Sequence, residues 1–184
     1  MSLLLPEKSL LLRKVSYKKG FLYTSLNFDG EKKTFFSNQH TLSPGFIVEK
    51  VSKTLSISWS PHKSLQLLTS FYIFHFYLEV LDKTPLVEKS LLSLYLKAIF
   101  LLEENPSKSL SQIGLVLSKT LLYFQIFNPL LRSFYQKGLD HTLSNLPEFN
   151  IKDIELALKI LQTHLNLHVF NFLQNSFLTK KNMQ

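Results

Sequence analysis

The residues with the most chemical content lie close together near the N-terminus: Arg13, Lys14, Tyr17, Lys18, Lys19, Phe21, Tyr23, Lys32, Lys33, Phe35 and Phe36. Cationic side chains can track a phosphate backbone, and aromatic rings set among them can stack bases. Together they make a sequence-tolerant binder of single-stranded nucleic acid. The same residue types have a plainer use, because strand aromatics fill cores and hairpin lysines keep an edge strand from pairing with a neighbour. The sequence leaves both open.

Other constellations are thinner. His164 and His168 are four residues apart, the spacing at which two imidazoles on one helical face can share a metal ion, but no carboxylate stands at the next turn to complete a ligand set. His40, His62, His75 and His141 are scattered, without a Gly-x-Ser-x-Gly or His-Glu-x-x-His pattern. Glu103-Glu104 is the only adjacent acidic pair, and it reads as a solvated helix end rather than a two-carboxylate site or a magnesium cage. A phosphate-binding glycine loop is missing, and with no cysteine there can be no disulfide, thiolate zinc site or cysteine nucleophile. The expectation is a binding protein, not an enzyme, with no catalytic residues, metal or cofactor.

The elements that position these residues follow from patterning. The chain has 184 residues, 45% of them apolar, enough for a real core. From Leu10 to Trp59 apolar and polar residues alternate and turn signals recur, which fits about five short strands. Asp29-Gly30 marks a hairpin and Ser43-Pro44-Gly45 a second turn. In the last strand Leu55, Ile57 and Trp59 are expected on one face, with Thr54, Ser56 and Ser58 on the other. Beyond it, Ser60-Pro61, Thr84-Pro85, Asn105-Pro106 and Asn128-Pro129 each place a capping side chain before a proline, predicting four helix starts.

The first helix, roughly Pro61 to Asp82, is apolar nearly all round and should be the central buried one. Lys63, Gln66, His75 and Glu79 interrupt it, leaving less than the ~20 apolar residues of a membrane span. Gly114 within the third helix suggests a close helix crossing. A short helix after Pro129 should end near Lys137-Gly138. Asn150, with Asp153 three residues on, should cap a last helix whose stripe runs through Ile151, Ile154, Leu158, Leu161, Leu165, His168 and Phe172. The fold class is α+β, with a β module over residues 1–60 and a helical domain over residues 61–184.

A net charge of +8 and a pI near 9.6 favour acidic partners: nucleic acid, an anionic membrane surface or an acidic protein tail. The apolar run at Met1 to Pro6 is too short for a signal peptide and has no basic start.

Five strands followed directly by helices in a small basic chain resemble the RecO family of recombination mediators. Leu11-Leu12-Arg13-Lys14-Val15-Ser16-Tyr17 is similar to that family's first strand, and Gly30 to the glycine after its second. Leu67-Leu68-Thr69-Ser70-Phe71-Tyr72-Ile73 through Glu79-Val80-Leu81 is similar to the helix opening its second domain, and Asn175 to Lys181 to its basic C-terminal segment. Lys18-Lys19 stands where an acidic residue is expected, and the four-cysteine zinc insertion of many members is missing.

The resemblance implies a small OB-like β-barrel and a cytoplasmic, nucleoid-associated DNA repair protein. It would bind single-stranded DNA, anneal strands, engage the single-strand-binding protein and RecR, and load a recombinase without turnover. Lys14, Lys18, Lys19, Lys32 and Lys33, with Tyr17 and Tyr23, would face DNA beside Arg13, while Lys180 and Lys181 would meet the acidic tail of the single-strand-binding protein. The competing reading is a protein–protein adaptor or secretion-type chaperone whose helices form a client-binding surface.

Overall fold

The structure, a computed structural model, describes residues 7–168. Five strands come first: β1 (Ser9–Tyr17), β2 (Gly20–Asn27), β3 (Lys32–Ser37), β4 (Ile47–Val51) and β5 (Thr54–Trp59). They form one antiparallel sheet in the order β3-β2-β1-β4-β5. The sheet is therefore open: β3 and β5 are its edges, and the closed barrel expected from the resemblance is not formed. From the connection that follows β3, Gln39 Nε2 donates to the Leu55 carbonyl of β5 at 3.3 Å.

Both faces of the sheet are apolar, for different reasons. A bulge between Leu11 and Arg13 sets two residues of β1 against one of β2, which shifts the alternation by one. Leu10 and Leu12 accordingly join Leu26 and Ile47 against the helices. Leu11 faces the other way, with Tyr23, Phe35, Val48, Leu55 and Leu42. That second face is roofed by residues 38–46, the connection from β3 to β4, which must cross the sheet because its two strands lie on opposite sides of β1 and β2. Gly45 permits the crossing: its φ is +89° and a Cβ there would collide with the ring of Phe74.

The helices are α1 (Leu68–Lys83), α2 (Lys89–Glu104), α3 (Ser109–Tyr123), α4 (Arg132–Asp140) and α5 (Ile151–Leu165). Helix α1 packs on β1 in front and on α2 and α3 behind, burying Ile73, Phe74, Phe76, Tyr77, Leu78, Val80 and Leu81. No helix among the described residues is long and apolar enough to cross a membrane.

The proline signals divide. Asn128 accepts a hydrogen bond from the Leu130 N–H at 2.9 Å, and a 3-10 turn at Pro129–Leu131 leads straight into α4. Pro106–Lys108 likewise runs straight into α3, but without the expected cap: the Asn105 side chain accepts from the Ser107 hydroxyl at 2.6 Å and from no backbone N–H of the turn. Thr84 does the opposite of capping α2: its hydroxyl turns back and donates to the Val80 carbonyl at 2.7 Å, closing α1. After Pro61 the chain makes only a 3-10 turn at Lys63–Leu65, and α1 begins at Leu68 after an extended Leu67.

The reason lies on a distant residue. The Glu103 carboxylate, at the end of α2, accepts the N–H groups of His62 (2.8 Å), Lys63 (2.7 Å) and Ser64 (2.9 Å) and the Ser64 hydroxyl (2.8 Å). Glu103 is thus a clamp at the strand-to-helix junction, not the solvated terminus expected. Desolvation pushes its carboxyl pKa up, but the hydrogen bonds from Ser64, Lys63 and His62 outweigh it and hold the pKa below the ordinary glutamate range.

Gly114 admits the ring of Phe149 from the segment before α5 rather than a crossing helix. Asn150 caps α5 as expected, accepting the Lys152 N–H at 2.9 Å. Helix α5 stops at Leu165, because Asn166 takes a left-handed conformation at φ 54°. His168 therefore falls off the expected stripe, and Phe172 lies outside the described residues.

The clamp makes a pH-dependent prediction. A depressed folded pKa contributes stability that is complete above the unfolded value, about 4.3, and is lost as pH falls through the folded one. Glu103→Gln should cost about 1–2 kcal/mol in urea unfolding at neutral pH, with the gap from the parent closing in acid. An equal gap at both pH values would mean the carboxylate charge is not what matters.

Candidate nucleic-acid interface

Strand alternation and the β1 bulge decide where the expected site residues go. Register pairs Arg13 with Thr24, Val15 with Leu22 and Tyr17 with Gly20, while Lys14 faces Tyr23 and Ser16 faces Phe21. Arg13, Val15 and Tyr17 thus extend the helix-facing side of the sheet, and Lys14 and Tyr23 belong to the roofed side. The cluster that looks continuous in sequence is split between two faces.

Several of its members have structural work. Tyr23 has no exposed surface: its ring stacks on Phe35 at 5.3 Å, and its hydroxyl donates to the carbonyls of Gln39 (3.0 Å) and Leu42 (3.3 Å). Burial raises its phenol pKa. A ring so enclosed cannot stack a base, so the DNA-facing role expected of Tyr23 is replaced by pinning the crossover. Lys14 does the same from β1, donating to the carbonyls of His40 (3.2 Å) and Leu42 (2.8 Å) with its ammonium 4.1 Å from the Phe21 ring centre.

Lys32 donates to the Asp82 carbonyl at 2.8 Å and to that of Thr84, a cation placed where the α1 carbonyls run out of partners. Burial lowers its ammonium pKa, against the opposing pull of Asp82. Arg13 reaches the same helix end, with Nε 3.4 Å from the Asp82 carboxylate, yet its side chain stays 58% exposed. Lys33 is exposed on the other side of the edge strand, 3.7 Å from Glu31.

The remainder forms a surface at the far end of β1 and β2, beyond the reach of α1. Val15 is 47% exposed and Tyr17 44%, beside half-buried Leu22 and Phe36. The rings of Tyr17 and Phe36 meet edge to face at 6.4 Å. The Lys18 ammonium lies 5.3 Å from the Tyr17 ring centre, and Lys19 is exposed beside it at the hairpin tip. Such a surface offers a ring face, an apolar floor and two cations. Phe36 was among the aromatics singled out from the sequence, but Val15 and Leu22 were not legible as site residues, because without the bulge neither the face nor its exposure can be read from spacing.

The remaining expectations resolve simply. His164 packs against Phe124, with ring centres 5.1 Å apart, while the His168 N–H donates to the Glu79 carboxylate. The end of α5 lies between the two, so they do not share a helical face. Among the described residues no group of three or more His, Asp or Glu could hold a metal ion. Lys180 and Lys181 lie outside the described residues. No protein-family model matches the chain, and no curated protein matches its sequence.

Lys18 sits at φ 51° and Ser52, at the tip joining β4 to β5, at φ 57°, a region that costs a residue with a Cβ about 1–2 kcal/mol. Lys18→Gly and Ser52→Gly should each stabilise the fold, by about 0.5–1 kcal/mol after the entropic cost of glycine. Chemical denaturation checks this, and a loss of stability in either variant would mean that the side chain makes contacts outweighing the strain.

Proposed function

We propose that this chain is a RecO-like mediator that binds single-stranded DNA through the free end of the β1–β2 hairpin, without catalytic turnover. One observation carries the reading: Tyr17 stands exposed on an apolar floor with Lys18 against its ring and Lys19 beside it. Aromatic stacking with adjacent cations is the means by which single strands are held without regard to sequence. The order of elements, strands first and helices after, supports the same family resemblance. An open five-stranded sheet whose β3–β4 connection is tied to β5 by Gln39 is compatible with an OB-like module, in which an exposed sheet face is the binding surface. Annealing, contacts with the single-strand-binding protein and RecR, and a place near the nucleoid are parts of the same proposal.

A protein adaptor is the second reading. It is favoured by Phe127 and Leu130, which are 68% and 78% exposed at the connection between α3 and α4, where an apolar client could dock.

Fluorescence anisotropy of a labelled single-stranded oligonucleotide, titrated at several salt concentrations, separates the two. Tyr17→Ala should weaken binding about tenfold. Lys18→Ala with Lys19→Ala should flatten the slope of log affinity against log salt by about 1 to 1.5. An absence of binding at low salt would sink the DNA reading and leave the adaptor in front.

A further inference from the structure

The exposed ridge of β1 does not end at Arg13. From Tyr17 through Val15 it runs into a cleft of about 480 Å³ between the sheet and α1, whose walls include Leu12, Arg13, Pro44, His75, Asp82 and Lys83. We propose that this cleft receives one unstacked base of the strand that lies on Tyr17, with Arg13 and Lys83 at its rim meeting the flanking phosphates. The inference rests on the DNA reading and extends its site from the hairpin to the first helix.

Three features support it. The volume lies within the range of small-ligand sites, roughly 300–1,000 Å³, and the mixture of apolar walls with a few polar groups is what such sites have in common. Leu12, Leu78 and Pro44 supply the apolar part. The His75 ring is fixed by Phe71 and Phe74, edge to face at 4.5 Å and 5.6 Å, and an imidazole can both stack on a base and bond its edge. Burial lowers the His75 pKa, so the ring entering such a contact is the neutral one.

Charge is the third feature. Carboxylates in the cleft would repel a phosphodiester, but Asp82 is paired with Arg13, and the charge that Glu79 keeps while accepting the His168 N–H is offset by the ammonium groups of Lys14 and Lys83 along the same cleft. Only the Arg13 Nε faces Asp82 in that pair, and one terminal nitrogen donates to Thr24 at 3.3 Å, which leaves part of the guanidinium for a phosphate. Lys83 is exposed at the end of α1. Lys14, although it lines the cleft, is spent on the crossover carbonyls.

The test uses oligo-deoxythymidine and the same oligomer carrying an abasic residue, with the full chain and its His75→Ala, Lys83→Glu and Tyr17→Ala variants. His75→Ala and Lys83→Glu should each weaken binding of the intact oligomer about tenfold. The abasic oligomer should bind the parent more weakly than the intact one, and His75→Ala should shrink that difference, as coupled partners do. If His75→Ala lowers the melting temperature, Lys83→Glu, on the surface, decides.

Binding weakened by Tyr17→Ala but untouched by His75→Ala and Lys83→Glu would overturn the cleft and leave the hairpin surface in place. A parent chain that binds neither oligomer would overturn both.

Discussion

Helix α1 is apolar on nearly every side because it is packed on nearly every side. In front it meets Leu10, Leu12, Leu26 and Ile47 of the sheet, and behind it the side chains of α2 and α3. Each large apolar side chain so buried contributes about 1.5–3 kcal/mol, and no other element joins the strands to the helices as fully. Its ends are held as well as its flanks. Arg13 and Lys32 reach from the strands to its C-terminus, and Glu103 returns from α2 to cap the turn that leads into it. Where α1 ends, the cover on the sheet ends too, and that boundary leaves Val15 and Tyr17 exposed.

The same constraint sorts the positive charges. A lysine near a helix end or a crossing loop finds carbonyls without partners, and Lys14 and Lys32 are drawn to them. Such residues count toward the net charge of +8 but contribute little to a binding surface. Lys18 and Lys19, at a hairpin tip with no carbonyl to satisfy, keep their charge for solvent or a ligand. On this reading the basic character is partly architecture and partly function, and the division follows from which backbone groups each side chain can reach.

Local chemistry was legible in the sequence and long-range chemistry was not. Asp29-Gly30, Asn128-Pro129 and Asn150 did what their side chains dictate, since a turn glycine or a capping amide needs only its immediate neighbours. Thr84-Pro85 failed because a threonine hydroxyl can bond backward as easily as forward, and the end of α1 took it. Ser60-Pro61 failed because the first N–H groups after it were captured by a carboxylate some forty residues away.

The face assignments failed for a similar reason. A bulge leaves no mark in hydrophobic alternation, yet it moved Arg13 and Tyr17 to the helix-facing side of the sheet and Lys14 to the side of Tyr23. In β4 and β5 a register shift accompanies the separation of Leu55 and Trp59 into different cores and leaves Ile57 41% exposed. The candidate surface was therefore visible as a composition before it was visible as a place.

Photocrosslinking addresses that place most directly. A single-stranded oligonucleotide carrying bromodeoxyuridine, irradiated with the full chain and digested for mass spectrometry, reports which side chains lie against its bases. The expected adduct is on Tyr17 or Phe36. Adducts confined to α2 through α5, with none on the β1–β2 hairpin or β3, would contradict the account.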